Sequence, residues 1–303
     1  MPTIVDELHT IIEKVADTVG PAVVRIGRGW GRGAGVVIFD GTVLTNAHNL
    51  QGETATVTFA DGRSAVGTVK GIDGDGDLAV LAVDTGGTPP VSWAAENVAP
   101  TVGTPVFAVA NPAGRGLRVT FGLVSAVGQV FRGPGGRRIG GSIEHTAPLN
   151  RGSSGGPVVD GSGALVGINT HRVGDGFYLA IPATSDLKTR IDALARGESP
   201  RRLRLGVALA PGHAARRLRA AVGLPERDGL LIRGVEAASP AERGGLRQGD
   251  LLVTAGGREL TTHDDLFAAL ETLGSAPTIT LGVVRATEEL EVTVDFTDPV
   301  PEP

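Results

Sequence analysis

The chain has 303 residues, room for two domains at the usual ~100–200 residues each, and it is 41% hydrophobic and 20% charged with a formal net charge of −5. This balance excludes a disordered chain, which would be less apolar and more highly charged, and a nucleic-acid surface, which needs clustered Lys and Arg to neutralise phosphates. With no cysteine, disulfides, thiolate catalysis and cysteine zinc sites fall away, and with aromatics at 4% the cores must be Val, Ile, Leu and Ala.

The opening segment, Met1-Pro-Thr-Ile-Val-Asp-Glu-Leu, has no basic head leading into an apolar block, so no export leader is legible. The expected compartment is cytoplasmic for the chain as it stands, and extracytoplasmic if a leader once preceded it. The longest apolar runs, such as Leu78 to Val83, are far shorter than the ~18–20 residues that span a bilayer. Residues 3–19 place Ile4, Leu8, Ile11, Ile12, Val15 and Val19 at helical spacing and stop at Gly20-Pro21. That spacing predicts an amphipathic helix. Its polar face is mostly acidic, which suits packing on the body or a partner subunit rather than a membrane surface.

From Val23 to Pro182 the pattern changes to short β runs separated by glycine turns, from Val23–Ile26 through Val119–Val127 and Ile143–Thr146 to Tyr178–Ile181. Asp61-Gly62 and Asp160-Gly161 mark reversals. No helix-length pattern intervenes, so two antiparallel β modules meeting near residues 95–103 are expected rather than βα units. A helix over 183–196 and a linker at Gly197-Glu-Ser-Pro-Arg-Arg follow. The last hundred residues mix strands near 230–235, 250–254, 278–284 and 290–296 with helices starting at Ser239-Pro240 and Thr262. Arg216, Arg217 and Arg219 read as a solvated helical face. Residues 298–303 read as a frayed tail.

Chemistry concentrates in Asn150-Arg-Gly-Ser-Ser-Gly-Gly-Pro157. A serine between glycines permits a tight turn whose amides converge on one point, as acyl transfer requires; a glycine-serine hairpin loop is the alternative. A serine nucleophile needs a base and the base an orienting partner. Among six histidines, only His48 stands at a strand end inside a β module with a carboxylate at hand. Asp77 opens the run Asp77-Leu-Ala-Val-Leu81, while Asp73 and Asp75 compete with it from a glycine-rich turn and are expected to be exposed.

These segments together resemble the HtrA/Deg family of trypsin-like serine proteases. The resemblance runs through Gly33-Ala-Gly-Val-Val, Leu44-Thr-Asn-Ala-His48, Asp77-Leu-Ala-Val-Leu81, Gly152-Ser-Ser-Gly-Gly-Pro157, Gly167-Ile-Asn-Thr170 and Ala180-Ile-Pro182. It continues into Ser239-Pro-Ala-Glu-Arg-Gly-Gly-Leu-Arg-Gln-Gly-Asp250, which looks like the signature of a PDZ module. The serine loop also satisfies the G-x-S-x-G elbow of α/β-hydrolases, but that fold needs a parallel sheet and places the histidine last. The resemblance implies a mainly β fold: a double antiparallel β-barrel over 21–196 behind an N-terminal helix over 1–20, a linker over 197–204, an α+β PDZ domain over 205–297 and a tail over 298–303.

Carried over residue by residue, it makes His48 the general base, Asp77 its orienter and Ser154 the nucleophile, with the Gly152 and Ser154 amides as oxyanion hole. Thr170, His171 and Arg172 would form the edge that pairs with substrate, and Pro148 an apolar pocket base selecting small or medium aliphatic residues. In the PDZ module, Leu205, Gly206 and Val207 would present amides to a peptide's terminal carboxylate, the peptide adding as a strand, and Leu266 and Leu270 would line its pocket or simply fill the core. The expected partners are unfolded polypeptides and peptide C-termini, with a homotrimer as the family's common assembly and no metal or cofactor. A peptide-binding chaperone with an idle protease fold is the rival. The chain departs from the family in Asn49, where Val is usual, in Thr146-Ala-Pro-Leu-Asn150, where Asp then Ala-Ala is usual, and in Ser153, where Asn is usual.

Overall fold

The structure, a computed structural model, describes residues 3–28, 33–94, 100–112, 116–132, 138–174, 176–199, 203–210, 212–273 and 277–297. The chain divides into a first unit, residues 1–200, and a second, residues 201–303. Helix α1 (Ile4–Val19) opens with a reciprocal cap: the Asp6 amide donates to Thr3 Oγ1 at 3.2 Å and the Thr3 amide to the Asp6 carboxylate at 2.8 Å. Val15 and Val19 are buried, with Leu8, Ile11 and Ile12 packed beside them. Ile4 stays 85% exposed, so the packed stripe begins one turn later than the spacing predicts.

Strands β1 (Val23–Ile26), β2 (Gly33–Phe39), β3 (Thr42–Thr45), β4 (Thr54–Thr58), β5 (Ser64–Asp73) and β6 (Leu78–Ala82) follow. They form a closed antiparallel barrel in the order β1-β2-β3-β6-β5-β4, with β4 returning to β1 at Ile26 and Val57. Its interior is β-branched and leucine-rich, with Val24, Val36, Leu44, Val57 and Val80 at zero exposure. Such residues suit a pleated, half-buried surface.

Strands β7 (Pro105–Ala110), β8 (Arg118–Arg132), β9 (Arg138–His145), β10 (Pro157–Val159), β11 (Leu165–Arg172) and β12 (Tyr178–Pro182) form a second closed sheet. Its order is β10-β11-β12-β9-β8-β7, and β10 meets β7 at Val158 and Ala108. Both β8 and β9 exceed the runs Val119–Val127 and Ile143–Thr146 expected from sequence. Gly128, at φ +68, breaks the alternation, but register shifts between β8 and β9 around Ala126 and Gln129 absorb the break and pairing continues to Arg132 and Arg138. The expected junction near 95–103 lies partly outside the described residues, at 95–99.

Helix α2 (Ser185–Ala195) buries Leu187, Ile191 and Leu194 against β5 and β6. The contact is close: a Cβ on Gly71 would lie 2.5 Å from the Leu194 carbonyl oxygen and 2.8 Å from its Cα. The expected linker 197–204 and tail 298–303 lie partly and wholly outside the described residues.

The second unit contains β13 (Val207–Ala210), α3 (Gly212–Ala221), β14 (Leu230–Val235), α4 (Pro240–Arg243), β15 (Leu251–Ala255), β16 (Arg258–Glu259), α5 (His263–Thr272), β17 (Thr278–Arg285) and β18 (Glu288–Asp295). The antiparallel sheet runs β13-β14-β15-β17-β18, with β16 on β15. Leu205, Leu230, Ile232, Leu252, Leu266, Leu270 and Leu281 share its core. Arg219 corrects the reading of α3 as a solvated basic face: it is 3% exposed and donates to the Pro225 and Ala286 carbonyl oxygens, which turn toward it. Arg216 does face outward, paired with Asp228.

The Gly71 contact gives a measurable expectation. Gly71→Ala should destabilise the first unit by about 1–3 kcal/mol, the range for overpacking. Both tryptophans, Trp30 and Trp93, belong to that unit, so a lower urea midpoint by tryptophan fluorescence checks it.

Candidate active site

His48 lies in a single turn of 3₁₀ helix, Ala47–Asn49, just after β3. Its Nδ1 sits 2.9 Å from both Asp77 carboxylate oxygens, and its amide donates to Oδ1 at 3.2 Å. An ionised carboxylate only accepts, so Nδ1 carries the hydrogen and Nε2 is left with the lone pair. The imidazole is 33% exposed and the Asp77 side chain 2%.

Asp77 holds a left-handed backbone, φ +52, a region in which Asp is among the better tolerated residues. The turn that imposes it is fixed from several sides. Gly76 donates to Asp73 Oδ1 at 2.8 Å, Arg190 of α2 pairs with the other Asp73 oxygen, and Asn46 Nδ2 donates to the Asp77 carbonyl at 2.9 Å. Asp73 is thus buried, not exposed as its glycine-rich setting suggests: it is consumed by Arg190, a residue 117 positions away. Asp75 is half-buried.

The serine loop turns on Gly152 and Gly155, at φ +87 and +90. The Gly155 amide donates to the Asn169 carbonyl at 2.7 Å, and a Cβ there would fall 2.1 Å from the Ala34 carbonyl oxygen, so only glycine fits. Ser154 is held through both its main chain and its side chain. Its carbonyl accepts from the Ala34 amide at 2.8 Å, and its hydroxyl donates to the Thr170 carbonyl at 2.9 Å rather than to His48. Thr170 in turn donates its own hydroxyl to Asp77 Oδ2 at 2.7 Å. The acid, the imidazole and the alcohol are therefore joined through one threonine. The Gly152 and Ser154 amides donate to no protein acceptor among the described residues.

Beside this cluster, β10 pairs with β11 only as far as Ile168. Thr170 is buried, whereas His171 and Arg172 are exposed and pair with Leu179 and Tyr178 of β12. The His171 ring stacks on Phe131 at 5.8 Å. Pro148 is exposed on the approach to the serine loop, next to half-buried Leu149.

His145 is a further residue of this region that sequence reasoning counted among the six histidines and gave no task. It follows Ile143 with the same inward parity, at zero exposure. Its Nε2 is 2.9 Å from Asn169 Oδ1, and its ring stacks on Tyr178 at 5.8 Å. Asn169 passes the contact on, donating from Nδ2 to the Gly156 carbonyl at 3.1 Å. Burial pushes the imidazole down to about 4, against the smaller opposing effects of the Asn169 hydrogen bond and nearby Glu144.

In the second unit, β13 is an edge strand. Gly206 has φ +76 and a Cβ there would lie 2.2 Å from Ser239 Cβ, so the glycine is required by its own backbone and by the α4 cap. The carbonyls of Leu205 and Gly206 accept from Ala241 and Glu236, while their amides donate to no protein acceptor among the described residues. Leu266 and Leu270 are 3% and 5% exposed, in one cluster with Leu205 and the partly buried Val207.

The chain is similar to known proteins. Residues 33–168 match the trypsin-like peptidase domain family and residues 204–296 the PDZ domain family. The putative serine protease HhoA of Synechocystis sp. is 32% identical over 277 residues, covering 87% of this chain and 70% of that protein. The probable periplasmic serine endoprotease DegP-like of Rhizobium meliloti is 34% identical over 251 residues, covering 80% of this chain but 48% of its own length, so the chain spans about half of that relative. Among solved structures, the HtrA-type protease AlgW with decapeptide is similar at a TM-score of 0.65 and 25% identity, covering 94% of this chain and 97% of that one. The serine endoprotease from Yersinia pestis gives 0.65 and 26%, covering 97% and 98%.

The buried His145 makes stability depend on pH. The folded state keeps the imidazole neutral, whereas the unfolded chain protonates it below its ordinary 6.5. Its contribution is therefore complete above pH 6.5 and is lost as pH falls toward 4, a difference of roughly 3 kcal/mol. Urea unfolding of wild type and His145→Gln across pH 4 to 7.5 should show a steeper acid loss in the wild type; parallel curves would contradict the assignment.

Proposed function

Since the chain belongs to the HtrA/Deg family of trypsin-like serine proteases carrying a PDZ domain, we propose that it is an endopeptidase cutting unfolded or damaged proteins through an acyl-enzyme. One observation carries the reading: a buried carboxylate, Asp77, holds His48 Nδ1 at 2.9 Å and is joined through Thr170 to the Ser154 hydroxyl. In this mechanism His48 Nε2 takes the Ser154 proton as Oγ attacks the scissile carbonyl, and the imidazolium then gives that proton to the leaving amine. Water, deprotonated by the same nitrogen, releases the acyl group. Asp77 keeps the tautomer and stabilises the imidazolium, and the Gly152 and Ser154 amides face the developing oxyanion.

The substrate backbone pairs with the end of β11 at Thr170, His171 and Arg172, and its side chain enters a pocket based at Pro148, apolar and without an acid to hold Lys or Arg. The two closed sheets are read as the family's double antiparallel barrel over 21–196, joined by the linker 197–204 to a PDZ domain over 205–297. The division of the chain near residue 200 supports this. At the PDZ domain, peptide C-termini add beside β13, with Leu205, Gly206 and Val207 facing the carboxylate and Leu266 and Leu270 lining the apolar pocket. AlgW, whose solved structure holds a decapeptide, supports peptide binding. An extracytoplasmic location is supported by relatives named periplasmic; among the described residues no helix is long and apolar enough to cross a membrane. A homotrimer belongs to this reading, and exposed Ile4 and Val5 of α1 offer it apolar surface.

A peptide-binding scaffold with an idle protease fold is favoured by one observation, the Ser154 hydroxyl donating to Thr170 rather than to His48. Fluorophosphonate labelling separates the two. An enzyme is labelled at Ser154, and Ser154→Ala loses both label and casein cleavage, by on the order of 10⁴-fold; an idle scaffold takes no label while still binding peptide. Product sequencing should place cuts after small or medium aliphatic residues, and cleavage confined to arginine would overturn the pocket reading.

A further inference from the structure

We propose that Asn49, the residue after His48, is a positioning residue that holds the main chain of the nucleophile against the imidazole; the proposal rests on the endopeptidase reading. Asn49 is 1% exposed. Its Nδ2 faces three acceptors: the Ser154 carbonyl oxygen at 2.9 Å, Thr45 Oγ1 at 3.0 Å and the Ala34 carbonyl oxygen at 3.4 Å. Thr45 donates its own proton to Ala34 at 2.7 Å, so toward Asn49 it accepts. The orientation of the amide follows, because the reverse would set Oδ1 against three oxygens.

Oδ1 is left buried with no hydrogen bond among the described residues. Such an orphan weakens the fold, so a side chain serving stability alone would be apolar at this place. Space is made for the amide: a Cβ on Gly33 would lie 2.2 Å from both Nδ2 and Oδ1. What the amide supplies in return is a donor from the first barrel to the carbonyl of a residue 105 positions away.

The Ser154 carbonyl therefore has two donors, the Ala34 amide at 2.8 Å and Asn49 Nδ2 at 2.9 Å. Carbonyl direction fixes the local backbone and with it the direction of the Cα–Cβ bond that carries Oγ. Asn49 is in the same 3₁₀ turn as His48. Base and nucleophile are thus tied by one peptide unit and one hydrogen bond. Without that donor, Ala34 alone holds the carbonyl and the approach of Oγ to Nε2 loosens.

Asn49→Leu keeps the volume and removes the donor; Asn49→Ala removes both. In the full chain, with a peptide substrate cleaved by the wild type, kcat is expected to fall on the order of 10–10²-fold, the effect of a misplacement near 1 Å. KM should stay within about twofold, as for an interaction that acts in the transition state. The fluorophosphonate labelling rate should fall with kcat, while the thermal midpoint of Asn49→Leu should match or exceed the wild type. A lowered midpoint with kcat and labelling rate unchanged would mean a structural role and overturn the proposal, as would Asn49→Leu retaining full kcat. If Asn49→Leu does not fold, Asn49→Ala carries the same comparison. A wild-type chain that neither labels nor cleaves overturns the endopeptidase reading and this role with it, an outcome distinct from an active wild type with indifferent variants.

Discussion

A buried carboxylate in this molecule has to be surrounded by donors, and Asp77 sets much of the site's geometry through that requirement. Its side chain is 2% exposed, and an ionised carboxylate so far from water is tolerated only when hydrogen bonds replace its hydration. The donors are the His48 amide, His48 Nδ1 and the Thr170 hydroxyl. Two belong to the first barrel and one to the second closed sheet. Satisfying the charge and joining the two sheets are therefore the same interaction, and the imidazole tautomer follows from it.

The left-handed turn at Asp77 depends on the same economy of polar groups. Asp73 is a second buried acid close by, and it is neutralised by Arg190 from α2, which lies 117 positions away in sequence. That pairing keeps Asp73 away from the imidazole and uses it to shape the turn through the Gly76 amide. Of the three acids in Asp73-Gly-Asp-Gly-Asp77, the one left facing His48 is the one whose backbone takes φ +52.

Much of this was legible in the sequence and some was not, for physical reasons. Alternation of Val, Ile and Leu between glycine turns is a local property, so strands such as Val23–Ile26 and the one that begins at Tyr178 stand where the pattern puts them. The reversal at Asp160-Gly161 is real, yet the left-handed residue is Gly163, and Asp160 caps the turn by accepting from Ser162 and Ala164. Propensity locates a turn more readily than it identifies the residue bearing the strain. The burial of Asp73 and the tasks of His145 and Asn49 were illegible, because their partners lie 117, 24 and 105 positions away. A polar residue's fate is decided by what the fold brings to it, and no local period encodes that. Arg219 fails for the same reason: its acceptors are turn carbonyls, including one from another hairpin, at Ala286.

The Ser154 hydroxyl bound to Thr170 rather than to His48 can be weighed as a free energy. Releasing a neutral hydroxyl–carbonyl hydrogen bond to solvent or to another acceptor costs about 0.5–1.5 kcal/mol net. The rotation that frees it moves one side chain between staggered wells and leaves the main chain in place, held by Ala34. At most this is about a tenfold factor, against the ~8–23 kcal/mol by which enzymes lower their barriers. A misplaced main chain would be a larger obstacle, since it alters every approach at once. The resting hydroxyl is thus a small correction to reactivity, and the greater constraint is the set of contacts that keeps the serine backbone beside the first barrel.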